Sequence, residues 1–160
     1  MDFIEDFVRL TDHLPSPAVY RRWAAIACVA AALERRMWFS FSAGDMFPNL
    51  YVLLVGGPAS GKTIAVREAS KLVAPCGIHI APDAATKAAF IDALKKAHEL
   101  KEAGGTLREY SALSVFSGEF GNMVTDHDHV FLNVLNKISA TNPIKNNTIM
   151  NELKILNQCI

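Results

Sequence analysis

A parallel α/β sheet is the fold class this sequence predicts, and three observations carry it. Short apolar, β-rich runs ("LYVLLVG", "IHIA", "SALSVF") alternate with segments of helical periodicity. The strongest of these runs strikes a glycine-rich turn, and a helical stretch follows at once, the order of a strand–loop–helix unit. The chain has 160 residues, 51% of them hydrophobic, which suits one domain with a sizeable core. Residues 1–47 read as N-terminal helices and a first hairpin strand packed on the core. Residues 48–160 read as the core.

Taken in order, Asp2 is placed to cap a first helix, with Glu5 three residues on in the manner of a capping box. Phe3, Phe7 and Leu10 recur at helical spacing beside Ile4 and Val8. "LPSP" stops this helix. Ser16 then caps a second one, with Pro17 at its first position. That helix is expected to run to about Arg36 and, being apolar nearly all round, to lie between other elements. "MWFSF" favours a strand, and "SAGDMFPN" reads as a turn. "LYVLLVG" is continuous enough to predict a strand buried on both faces. The helix after the glycine turn extends to about Val73, where "APCG" breaks it. "IHIA" is a second core strand. Asp83 or Thr86 caps a long amphipathic helix reaching about Ala103, ended by Gly104-Gly105. "SALSVF" is the third core strand. A further helix begins near His129 and includes Asn133 to Ala140. Beyond Pro143 the chain is polar and weakly patterned.

Bulk chemistry excludes several classes. Acidic and basic residues balance at 16 each, so there is no global electrostatic footprint for nucleic acid, although one face can still carry a patch. Cys28, Cys76 and Cys159 are far apart and form no CxxC, which argues against a disulfide framework or a structural zinc and suits a reducing cytoplasm. The N-terminus "MDFIEDF" lacks the basic start of a signal peptide. The longest apolar run, Trp23 to Leu33, falls well short of the ~20 residues a membrane span needs.

The glycine turn carries the chemistry. Gly56-Gly57-Pro58-Ala59-Ser60-Gly61-Lys62-Thr63 fits G-x-x-x-x-G-K-[ST] at every fixed position. Glycines let the backbone curl so that successive N–H groups converge on phosphate oxygens. The helix that follows adds the partial positive charge of its first turn, through Ile64. In this pattern Lys62 reaches the β and γ phosphates of a nucleotide and the Thr63 hydroxyl ligates Mg²⁺. A buried strand before and a helix after are the context the motif requires. The bland alternative is a tight strand-to-helix turn without a ligand.

Hydrolysis needs acidic groups as well, to hold Mg²⁺ and to orient water. In "ALSVFSGEFGN" an apolar strand is followed by Glu119, while Ser117 and Gly118 occupy the place where an aspartate directly after the strand would stand. Glu119 is therefore the candidate catalytic and metal-linked carboxylate, weighed against a surface glutamate at a helix start. "DHDH", Asp126 to His129, reads as a solvated loop, because alternating residues share a face only on a strand. His13, His79 and His98 are isolated. Arg21, Arg22, Arg35 and Arg36 flank the apolar helix and could touch nucleic acid, but such terminal charges usually face water.

Together, "PAVYRRWAAIACVAAALERRMWF", "FPNLYVLLVGGPASGKT", "APDAATKAAFIDAL" and "SVFSGEFGNMV" resemble a family of phage- and prophage-encoded P-loop ATPases, which includes domains of unknown function, primase-helicases and DnaB-like replication proteins. The resemblance covers most of residues 1 to 150. It implies a RecA-like parallel core, ATP and Mg²⁺ as ligands, Lys62 and Thr63 on phosphate and metal, Glu119 in the acidic position after the third strand, and Thr86 at a helix start. It also implies a homo-oligomer or other replication proteins as partners, single- or double-stranded DNA as a substrate, no membrane, and the cytoplasm of a bacterial host. The family's usual acidic pair before "FG" is a single Glu119 here. After "ILNQCI" another core strand, a polar sensor residue and an arginine finger are expected and missing, so the core reads as incomplete on its C-terminal side.

Three functions compete on this reading. The first is a nucleic-acid-associated ATPase whose neighbours complete each other's sites. The second is a nucleotide-binding module that does not hydrolyse. The third is a small-molecule P-loop kinase, disfavoured because the chain spends residues 1–48 on helices and a hairpin before the loop strand and lacks an arginine-rich lid.

Overall fold

The computed structural model describes residues 2–42, 44–48, 50–83, 86–103, 106–118 and 150–159, and they form a mixed α/β fold. The described helices are α1 (Phe3–Leu10), α2 (Ala18–Leu33), α3 (Lys62–Val73) and α4 (Lys87–Lys96); the described strands are β1 (Phe39–Phe41), β2 (Gly44–Met46), β3 (Tyr51–Val55), β4 (His98–Ala103), β5 (Thr106–Phe116) and β6 (Met150–Cys159). Among the described residues no helix is long and apolar enough to cross a membrane.

α1 begins as its sequence predicts, and α2 departs from expectation at both ends. Asp2 Oδ1 accepts the N–H groups of Ile4 at 3.0 Å and Glu5 at 3.4 Å, satisfying two of the donors a helix start leaves open. At α2 it is Pro17, not Ser16, that sits at the cap, and no side chain caps the helix. The helix stops at Leu33, earlier than Arg36, because Glu34 turns to a φ of +45°. Nor is α2 enclosed. Ala24, Ala25, Cys28 and Ala31 are buried, whereas Val19, Trp23 and Val29 are exposed. Its apolar character serves one face, where small side chains let α2 approach α3 at Ala65 and Ala69.

Two sheets follow. β1 and β2 form an antiparallel ribbon with Phe39 opposite Met46, so part of "SAGDMFPN" is strand rather than turn. The main sheet runs β3-β6-β5-β4. β6 lies parallel to both β3 and β5, while β4 pairs antiparallel with β5. Four expectations change here. β3 is buried on one face only, with Val52 and Leu54 inside and Tyr51, Leu53 and Val55 exposed. The long helix expected to reach Ala103 ends at Lys96, and "HELKEA" becomes β4, because pairing with β5 outweighs its helical pattern. The polar, weakly patterned stretch beyond Pro143 contributes β6, which takes a central place between β3 and β5. "IHIA" does not form a full strand. It meets β5 through a parallel bridge from Ile80 to Ser114, with Ala81 N–H donating to Ser114 O at 2.8 Å and Ser114 N–H to His79 O at 2.8 Å.

One apolar core holds α1, α2, β3 and α3 together. Phe7, Ala25, Cys28, Val52, Leu54, Val66 and Phe116 belong to it. The helix expected near His129, from Asn133 to Ala140, lies outside the described residues.

Candidate functional site

Parallel pairing aligns strand ends. Val55 stands opposite Cys159, Phe116 opposite Leu156, and Ile80 opposite Ser114. The carboxyl ends of β3 and β5, and the segment after Ile80, therefore come to one edge of the sheet, the edge where parallel α/β sheets bind ligands.

The glycine loop leaves β3 at this edge and curls. Ser60 N–H donates to Gly57 O at 3.4 Å, Ala59 takes a φ of +56° and Gly61 one of +81°. A non-glycine residue in the left-handed region costs of order 1–2 kcal/mol, so Ala59 is held there by its surroundings. α3 starts at Lys62 without a side-chain cap, and the bond from Ala65 N–H to Gly61 O at 3.3 Å closes its first turn. The helix thus turns its positive end toward the loop.

Lys62 is 9% exposed, and a buried ammonium needs acceptors. It donates to Gly56 O at 2.7 Å, Gly57 O at 2.8 Å and Ser60 Oγ at 3.2 Å, a full complement for three N–H donors. The charge sits across the mouth of the loop, next to the backbone that Gly56, Gly57, Pro58 and Ala59 contribute.

The glycines differ in what a side chain would meet. A methyl group on Gly61 would lie 2.3 Å from Pro15 O and 2.7 Å from Ser16 Cα, in the turn between α1 and α2. A methyl group on Gly56 would lie 2.3 Å from the Tyr20 hydroxyl. One on Gly57 would meet nothing within 4 Å. Residues 15–20 therefore brace the loop from outside, which local sequence could not reveal.

The facing wall comes from β5 and the segment after Ile80. Gly118 N–H donates to Asp83 Oδ1 at 2.9 Å, and Ser117 Oγ donates to Asp83 O at 3.3 Å. Between this wall and α3 lies a cavity of about 140 Å³ lined by residues that include Thr63, Arg67, Asp83 and Gly118. Thr63 stands beside the loop and lines this cavity. Thr86, not Asp83, caps α4, accepting Ala89 N–H at 3.3 Å. The sequence treated Asp83 only as a possible cap; the available signal was its place just after a short apolar run. Glu119 and Asp126 to His129 lie outside the described residues.

The four arginines at the ends of α2 are engaged within the chain. Buried Arg21 donates to Val8 O at 2.6 Å and to Asp12 at 2.8 Å, and Arg22 forks onto Glu5 at 2.9 and 3.1 Å. Arg35 lies over the Phe47 ring at 4.2 Å, and Arg36 pairs with Glu34 at 3.1 Å. Arg21 and Arg22 tie α2 to α1 and the turn after it, Arg35 reaches Phe47, and Arg36 pairs within its own turn. No family model, no curated protein and no solved structure matches this chain.

Proposed function

We propose that the chain is a P-loop NTPase core that binds ATP with Mg²⁺ on residues 56–64 and hydrolyses it in association with nucleic acid, as in a helicase or primase-helicase of a phage or mobile element. The observation that carries the reading is the curled loop, with Lys62 across its mouth and the N-terminus of α3 behind it, at the carboxyl edge of parallel strands. An anion is the ligand such a site favours. In this reading Lys62 contacts phosphate, Thr63 contacts the metal, and Glu119 acts as the water-activating carboxylate. A cytoplasmic setting, DNA as substrate and an assembly of like subunits belong to the same proposal and rest on the family resemblance.

The Thr63 hydroxyl, a carboxylate and a cavity of about 140 Å³ suit Mg²⁺, which keeps several waters and takes oxygen ligands. Once bound, the metal would supply charge neutralisation on the phosphates.

Two measurements test the proposal. Millimolar Mg-ATP raises the unfolding temperature, since a ligand at 100 times its Kd adds about 2.7 kcal/mol; no shift would refute nucleotide binding. ATP turnover, with and without single-stranded DNA, exceeds that of Lys62→Ala; equal rates would refute the enzymatic part. A second reading, a module that binds nucleotide without hydrolysis, draws on Ser117 and Gly118, which leave no carboxylate directly after β5. Stabilisation by Mg-ATP without turnover would favour it.

A further inference from the structure

β5 is followed by Ser117 and Gly118, where a carboxylate would be most useful to a nucleotide-bound metal. The adjacent segment brings one to the same place. The bridge at Ile80 and the bond from Ala81 N–H to Ser114 O fix this segment alongside the end of β5, and the chain then delivers Asp83 to Gly118. Two bonds hold it there, one from each residue of the missing-acid pair: Gly118 N–H to Oδ1 at 2.9 Å and Ser117 Oγ to the backbone carbonyl at 3.3 Å. Oδ2 accepts no bond from the described residues.

Thr63 closes on the same point from the other side. A methyl group on Gly118 would lie 3.1 Å from Thr63 Cγ2 and 3.9 Å from Asp83 Oδ2. Gly118 keeps that space empty, and Thr63 and Asp83 both line the cavity beside it. We propose that Asp83 is the carboxylate that holds the Mg²⁺ of a bound nucleoside triphosphate, directly or through a water, opposite the Thr63 hydroxyl. This rests on residues 56–63 being a nucleotide site. The chemistry fits a cation that takes one or two carboxylates, retains waters and shares phosphate oxygens. The site is thereby assembled from two neighbouring segments, with the acid on the segment next to the one where a linear motif would seek it.

The test is a titration of the whole chain with a fluorescent ATP analogue, in EDTA and in Mg²⁺, followed by Mn²⁺ titration of the nucleotide complex by electron paramagnetic resonance. Asp83→Asn keeps an oxygen to accept Gly118 N–H. It should retain wild-type affinity in EDTA, lose the gain that Mg²⁺ confers, and weaken Mn²⁺ binding by roughly 10–100-fold. Asp83→Glu retains the charge on a longer arm and should recover part of that gain. Asp83→Asn with the full Mg²⁺ gain and wild-type Mn²⁺ affinity overturns the role of Asp83 alone. A wild-type chain that binds the analogue in neither buffer overturns the nucleotide site and this role together. If Asp83→Asn fails to fold, Asp83→Glu decides: an unchanged Mn²⁺ affinity rejects the proposal, and a shifted one supports it.

Discussion

The Tyr20 hydroxyl donates to the carbonyl of Val55 at 2.9 Å, tying α2 to the last residue of β3 immediately before the glycine loop. The same hydroxyl stands 2.3 Å from where a Cβ on Gly56 would be. A side chain 36 positions upstream thus leaves no room for a Cβ at the first glycine of the loop.

That relationship predicts coupling between the two positions. Tyr20→Phe removes one hydrogen bond and should cost about 1 kcal/mol. Gly56→Ala should cost more in the wild-type background than in Tyr20→Phe, where Ser60 Oγ at 3.2 Å and the ring carbon at 3.5 Å become the nearest obstacles. Urea denaturation of both single variants and the double variant gives the coupling energy. Additive losses would show that the hydroxyl does not set the space available at Gly56.

Gly61 and Gly57 separate backbone strain from open space. Gly61→Ala must hold a φ of +81° and push its methyl group into Pro15 O, so a loss of at least about 2 kcal/mol is expected. Gly57→Ala meets nothing and should stay within about 0.5 kcal/mol. Thermal unfolding of both variants without nucleotide is the check. Similar melting temperatures would mean that the α1–α2 turn does not press on the loop.

How much of this was legible in the sequence follows from where each constraint originates. The Asp2 cap, α3 and the loop pattern are local: a short side chain reaches N–H groups two and three residues on, and residues 56–63 need their glycines and lysine in fixed order. β4 and β6 are not local. "HELKEA" has helix-compatible spacing and becomes a strand because β5 offers it partners, while "MNELKILNQC" lacks an apolar run yet gains neighbours on both sides. The brace from Tyr20 and the delivery of Asp83 to Gly118 are likewise contacts between segments far apart in the chain, at separations of 35 residues each. The α2 arginines follow the same logic, since their partners Val8, Asp12 and Glu5 become neighbours only when α1 folds back on α2.

Thr63→Ala tests the proposed metal ligation through its own residue. If the hydroxyl is a metal ligand, the variant loses affinity for ATP in Mg²⁺ by about tenfold or more and much less in EDTA. Calorimetric titration in the two buffers measures both. Equal losses would assign the hydroxyl to the fold, where its methyl group already approaches Gly118.

Cys28 gives the core a pH dependence of its own. It is 3% exposed in the α2–α3 interface, and its S–H donates to Ala69 O at 3.5 Å. Burial first, and the nearby Cys76 second, push its thiol up to about 12. An unfolded thiol titrates near 8.5. Because the folded value is the higher one, this contribution is complete below about pH 8.5 and is lost as pH rises toward 12, with a slope approaching about 1.4 kcal/mol per pH unit. Urea midpoints of wild type should therefore fall more steeply between pH 8 and 10.5 than those of Cys28→Ala, a difference that subtracts the tyrosines and lysines common to both. At pH 8 a thiol reagent should label exposed Cys76 and spare Cys28 until the chain unfolds, as peptide mapping would report. Parallel pH profiles for the two proteins, or early labelling of Cys28, would mean that the α2–α3 interface opens to water in the native state.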